Sequence, residues 1–114
     1  MAESVIYHNP RCSTSRKTLE LLRDNGIEPK IVQYLKTPPS RDELVTMIRD
    51  AGIDVRSAVR KRESLYAELN LADASDEQLL DAMAEHPILI ERPFVVTPKG
   101  TRLARPLDGV REIL

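Results

Sequence analysis

The 114-residue chain carries 17 basic and 18 acidic side chains, a formal net charge of −1, with no segregated basic block of the kind that neutralises a phosphate backbone. One cysteine, Cys12, and the histidines His8 and His86 exclude an internal disulfide and are too few for a structural zinc site, so no metal is expected. No stretch approaches the roughly 18 apolar residues of a bilayer span, and the first residues lack a signal-peptide pattern, so a soluble, cytoplasmic, single-domain protein spanning 1–114 is expected, with no nucleic-acid or membrane partner.

In chain order, Ser4 to His8 is a β-rich run closed by Asn9-Pro10, which predicts a first strand. A helix is predicted from Cys12 or Ser13, with Leu19, Leu21 and Leu22 as its apolar residues and Asn25-Gly26 as its stop. Glu28 to Leu35 contains Ile31, Val32 and Tyr34 and predicts a second strand, broken by Thr37-Pro38-Pro39. Ser40 with Glu43 spells a capping box before the apolar stripe Leu44, Val45, Met47, Ile48 and Ala51, which ends at Gly52. Residues 54 to 69 read as an interrupted helix, and Ser75 with Gln78 is a second capping box for a helix that stops before Pro87. Phe94 to Val96 and Thr101 to Ala104 read as strands around a Thr97-Pro98-Lys99-Gly100 turn, and a last helix is expected from Pro106. This β-α-β, helices, β-β-α order predicts an α/β fold, compatible with a thioredoxin-like, mixed four-stranded sheet carrying a helical insertion.

The chemistry concentrates in YHNPRCSTSRKT, residues 7 to 18. Cys12 falls at the predicted strand-to-helix turn, where free backbone N–H groups and the helix dipole favour a thiolate and can also seat an oxyanion. Ser13, Thr14 and Ser15 either cap the helix or add hydrogen bonds to a thiolate or oxyanion. On these residues alone Cys12 is equally well a small buried hydrophobe or a nucleophile. His8, four residues earlier, either packs or lowers the thiol pKa when protonated. Arg92 before Pro93 and Arg105 before Pro106 bracket the predicted hairpin, where pre-proline geometry can aim both toward one edge of the sheet, although on sequence physics alone such arginines are more often solvated surface charges. Arg60, beside Lys61 and Arg62, is a further candidate that periodicity does not separate from its neighbours.

HNPRCSTSR, YLKTPPSRDELV and EHPILIERPFVVTPKGTRLARP, with their spacing from Ile6 to Leu114, closely resemble the glutaredoxin-dependent arsenate reductases, the ArsC family, in its shorter chromosomal form. The resemblance implies a thioredoxin-like fold, a cis Arg92-Pro93 bond, Cys12 as catalytic nucleophile, Arg60, Arg92 and Arg105 as oxyanion-binding arginines, and His8 and Ser15 as residues that tune the cysteine. It also implies arsenate as substrate, glutathione as co-substrate, glutaredoxin as partner, no bound cofactor and a monomer. Ser13 stands where well-characterised members often have glycine. Two other readings are a glutathione-dependent thiol oxidoreductase acting on another substrate and an Spx-like RNA polymerase-binding regulator; the latter lacks its usual second cysteine because Ser15 occupies that place. A phosphatase-type reductase with Cys-x5-Arg does not fit, since Thr18 stands six residues after Cys12.

Overall fold

A computed structural model describes residues 3–105 and 107–114 and divides them into two compact units, one formed by the chain up to Thr37 together with Arg92–Leu114, the other by Pro38–Glu91. In the first unit, β1 (Val5–Tyr7) is followed by α1 (Ser13–Asp24) and β2 (Lys30–Val32), and β3 (Phe94–Thr97) and β4 (Gly100–Leu103) form a hairpin. The sheet order is β2-β1-β3-β4, with β1 parallel to β2 and antiparallel to β3. This is the mixed four-stranded, thioredoxin-like sheet that the element order predicts. The segment expected as a final helix is a 3₁₀ turn, Leu107–Ile113, and Pro106 lies outside the described residues.

Strand register brings distant residues together. Tyr7 pairs with Phe94, and Phe94 pairs with Leu103, so the last residue of β1, the first of β3 and the last of β4 lie in one row across the sheet. The loop His8 to Cys12, the Arg92-Pro93 peptide and Ala104-Arg105 therefore all leave the sheet at the same end. The Arg92-Pro93 bond is cis. Behind the sheet, Ile6, Leu22, Val95, Ala104, Val110 and Ile113 make a closed apolar core that anchors α1 and the last turn.

Helix α1 starts with Cys12 in extended geometry as its N-cap and stops in a Schellman motif. Gly26 takes φ +76°, and Ile27 N–H donates to Leu22 O at 2.9 Å while Gly26 N–H donates to Arg23 O at 3.0 Å. Strand β2 is shorter than expected because the chain turns at Gln33, whose carbonyl accepts from the N–H groups of Lys36 and Thr37 at 2.8 and 2.9 Å.

In the second unit, both capping boxes form: Ser40 caps α2 (Arg41–Asp50) and Ser75 caps α4 (Asp76–Glu85), each reciprocated by its partner, Glu43 or Gln78. These helices pack together through Leu44, Met47, Ile48, Leu79, Leu80 and Met83, all buried, and Arg41 adds ion pairs to Glu77 and Asp81. The interrupted helix expected over 54 to 69 is a 3₁₀ turn, Arg56–Ala58, followed by a short α3 (Ser64–Glu68). The break has a long-range cause. Val59 is extended and bridges Ile90, with Glu91 N–H donating to Ala58 O at 2.8 Å and Arg60 N–H to Leu89 O at 2.7 Å, which takes those groups out of any helix. Arg56 then ties the unit internally by donating to Tyr66 Oη, Leu71 O and Ala74 O.

Candidate active site

Cys12 is fixed by the turn that leads into α1. Its N–H donates to Asn9 O at 3.0 Å, and its carbonyl accepts the first helical bond from Arg16 N–H. Asn9 Oδ1 accepts from Arg11 N–H at 3.0 Å, an Asx turn, and the Arg16 guanidinium donates to Pro10 O at 2.8 Å. These local bonds hold the loop in place. Cys12 is nearly enclosed, with 9% of the residue exposed.

Burial pushes the Cys12 thiol up, but the opposing effects win and its pKa lies below the usual thiol range: the Ser15 N–H, the Arg92 charge, the Thr14 N–H and the Arg105 charge all favour the thiolate. The Arg105 guanidinium reaches Sγ with Nη2 at 3.7 Å and donates from Nε to Arg92 O at 2.8 Å, so the residues before and after the hairpin meet at the cysteine. Arg92 is itself buried. The site is a thiolate-stabilising corner built from one helix start and two arginines, which is also an arrangement suited to an incoming oxyanion.

The hydroxyl run divides its work differently from the reading of its side chains as thiolate donors. Ser15 and Thr14 act on the sulfur through their backbone N–H groups. The fully buried Ser15 side chain turns the other way, lying 2.7 Å from His8 Nδ1 and accepting from Asn9 N–H at 3.0 Å. Thr14 O accepts from Thr18 Oγ1 at 2.7 Å. Ser13 is the exposed first residue of α1.

His8 is held below the ordinary imidazole pKa, first by burial and then by the charges of Arg16 and Arg23. At neutral pH it is therefore the neutral ring. Its contact with the site runs through Ser15 and the turn, in place of the positive charge that proximity in sequence suggested.

Of the sequence candidates, Cys12, His8, Ser15, Arg92 and Arg105 converge in the first unit. Arg60 belongs to the second, where its guanidinium lies 3.5 Å from Glu63 and its buried Nε has no hydrogen-bond partner among the described residues. Sequence reasoning passed over Asn9 and Arg16, which shape the loop. The Asn-Pro-Arg spacing of an Asx turn was the available signal for Asn9.

The ArsC family profile matches residues 7–113. The arsenate reductase of Rhizobium meliloti (strain 1021) is 61% identical over an alignment spanning 96% of this chain and 79% of that protein. The arsenate reductase of Escherichia coli (strain K12) is 57% identical, spanning 100% of this chain and 82% of the relative. Among solved structures, an arsenate reductase from Vibrio cholerae superposes with a TM-score of 0.93 at 51% identity, covering 98% of each chain. Likeness over this extent places the chain in the ArsC family.

Proposed function

We propose that this chain is an arsenate reductase that draws its electrons from glutathione and a glutaredoxin through a covalent Cys12–arsenic adduct. The observation that carries the reading is the setting of the lone thiol, with its pKa lowered by two backbone N–H groups and two arginines, one of them 3.7 Å from Sγ. Support for arsenate as the oxyanion comes from the relatives named arsenate reductase at 61% and 57% identity.

Arsenate docks at the amino end of α1 with Arg92 and Arg105 neutralising its oxygens, and by the family resemblance Arg60 serves as a further oxyanion-binding arginine. The Cys12 thiolate attacks arsenic, an As–S bond forms, and one arsenate oxygen leaves as water after protonation. The arginines hold negative oxygens throughout, which is the electrostatic part of the catalysis. The glutathione thiolate then displaces a second oxygen from arsenic. A glutaredoxin thiolate attacks the glutathionyl sulfur, the electron pair of that As–S bond stays on arsenic, and a mixed disulfide departs. Arsenic is now trivalent, and the disulfide accounts for the electron pair it gained. Water replaces Cys12 on arsenic, releasing arsenite and restoring the thiol. Only one enzyme cysteine is used, and the chain has one.

The test is NADPH consumption in a mixture of the protein, arsenate, glutathione, glutaredoxin and glutathione reductase, with single omissions. Activity that requires every component and is abolished by Cys12→Ser supports the proposal. Wild-type turnover no greater than that of Cys12→Ser overturns it. Undiminished turnover without glutaredoxin removes that partner from the scheme, and a small mixed disulfide outpacing arsenate makes the protein a thiol transferase.

A further inference from the structure

A cleft of about 440 Å³ opens on the first unit, lined by Thr14, Lys17, Ala104, Arg105 and Leu107. Its size lies within the roughly 300–1,000 Å³ typical of small-molecule sites. Two of its residues also touch the reactive sulfur: Thr14 favours the thiolate through its N–H, and Arg105 reaches Sγ at 3.7 Å. The cleft therefore shares two of its lining residues with the surroundings of the cysteine. Lys17 follows Thr14 by three positions on α1, so its ammonium lies on the same helix face one turn farther from the sulfur. Lys17 is exposed, and no ion pair is found for it among the described residues. Ala104 and Leu107 are the apolar residues of the cleft lining.

We infer that this cleft is the subsite for the reducing thiol, a small peptide thiol whose carboxylate is held by Lys17 while its apolar stretch lies over Ala104 and Leu107. The inference rests on the proposed function, because it takes glutathione to be the molecule that attacks the Cys12 adduct. Arsenate is too small to need a cleft of this size, and its charge is met closer to the sulfur by Arg92 and Arg105. A molecule that must bring its own sulfur beside Cys12 needs a hold at a distance from the reacting atoms. Lys17 offers that hold, and its positive charge selects an anionic thiol over a neutral one. Its role is to bind and position the thiol, with no part in bond making.

The experiment reads the thiol directly, without arsenate, so that absence of this subsite and absence of arsenate reduction give different results. Cys12 is alkylated with iodoacetamide at constant ionic strength in the presence of increasing S-methylglutathione, which carries the carboxylates but cannot react. Rates are normalised to each variant without protectant. Wild type is expected to be protected, and Lys17→Glu to need about fivefold more S-methylglutathione, the size expected for an exposed ion pair. Lys99→Glu makes the same charge reversal in the turn at the other end of the hairpin, and is expected to behave as wild type. The S-methylglutathione diethyl ester, stripped of its carboxylate charge, is expected to protect wild type and Lys17→Glu equally. No protection of wild type, equal protection by S-methylglutathione of wild type and Lys17→Glu, or equal loss in Lys99→Glu overturns the assignment. Circular dichroism confirms that each variant is folded.

Discussion

Ser15→Ala is the perturbation that asks most of the cysteine turn. The Ser15 hydroxyl is fully buried and holds two groups at once, His8 Nδ1 at 2.7 Å and Asn9 N–H at 3.0 Å. Alanine keeps the helical backbone and nearly the same volume, so the loss is confined to the hydrogen bonds. A buried polar group left without its partner costs about 1–3 kcal/mol, and here a ring nitrogen and a backbone amide lose theirs together. Some recovery is expected where the half-buried Asn9 amide meets water, which brings the expected loss to about 2 kcal/mol. For a domain of this size that lowers the melting temperature by roughly 8 °C. Urea denaturation of wild type and variant reads the free energy, and His8→Phe with the double variant isolates the coupling. A Ser15→Ala variant within about 0.5 kcal/mol of wild type, or a coupling near zero, would refute the view that Ser15 braces the loop.

Arg105→Ala removes a cation that reaches the sulfur at 3.7 Å; arsenate turnover is expected to fall about 100-fold, as when one oxyanion donor is lost, and the thiol pKa to rise. Wild-type turnover in that variant would exclude a role for the arginine. His8 is expected to titrate below a free imidazole by NMR, because burial, Arg16 and Arg23 disfavour its charged form. The unfolded chain takes up that proton first, so His8's contribution to stability is complete above about pH 6.5 and is lost as pH falls through the lower folded pKa. A His8→Phe variant with the same pH dependence of unfolding across that window would contradict the assignment. Ser40→Ala and Ser75→Ala each delete one half of a capping box and are expected to cost about 1 kcal/mol of stability, measured by chemical denaturation.

What was legible in the sequence follows the range of the forces involved. Both capping boxes are settled within four residues, and both form as read. The helix stop at Asn25-Gly26 is equally local, since glycine alone takes φ +76° without strain. The start of α1 at Cys12 came from proline and hydroxyl chemistry on either side of it. The arginines were visible as unusual Arg-Pro pairs, but their meeting at Cys12 depends on the Tyr7, Phe94 and Leu103 row across three strands. The broken helix over 54 to 69 was less legible because Ile90, thirty-one residues downstream, draws Val59 into a bridge that no local propensity encodes. The charge state of His8 was hidden for the same reason: Arg16 and Arg23 approach it only once α1 has folded against β1.

These residues make one physical claim, that the helix start and two arginines hold Cys12 as a thiolate ready to attack an anion. The rate of Cys12 alkylation by iodoacetamide across pH tests it most directly, because only the thiolate reacts and iodoacetamide itself carries no charge. The account predicts a midpoint below that of an ordinary free thiol, moving upward in Arg105→Ala, with arsenate slowing the reaction in wild type. A midpoint at or above the free-thiol value, unchanged by Arg105→Ala, would contradict it.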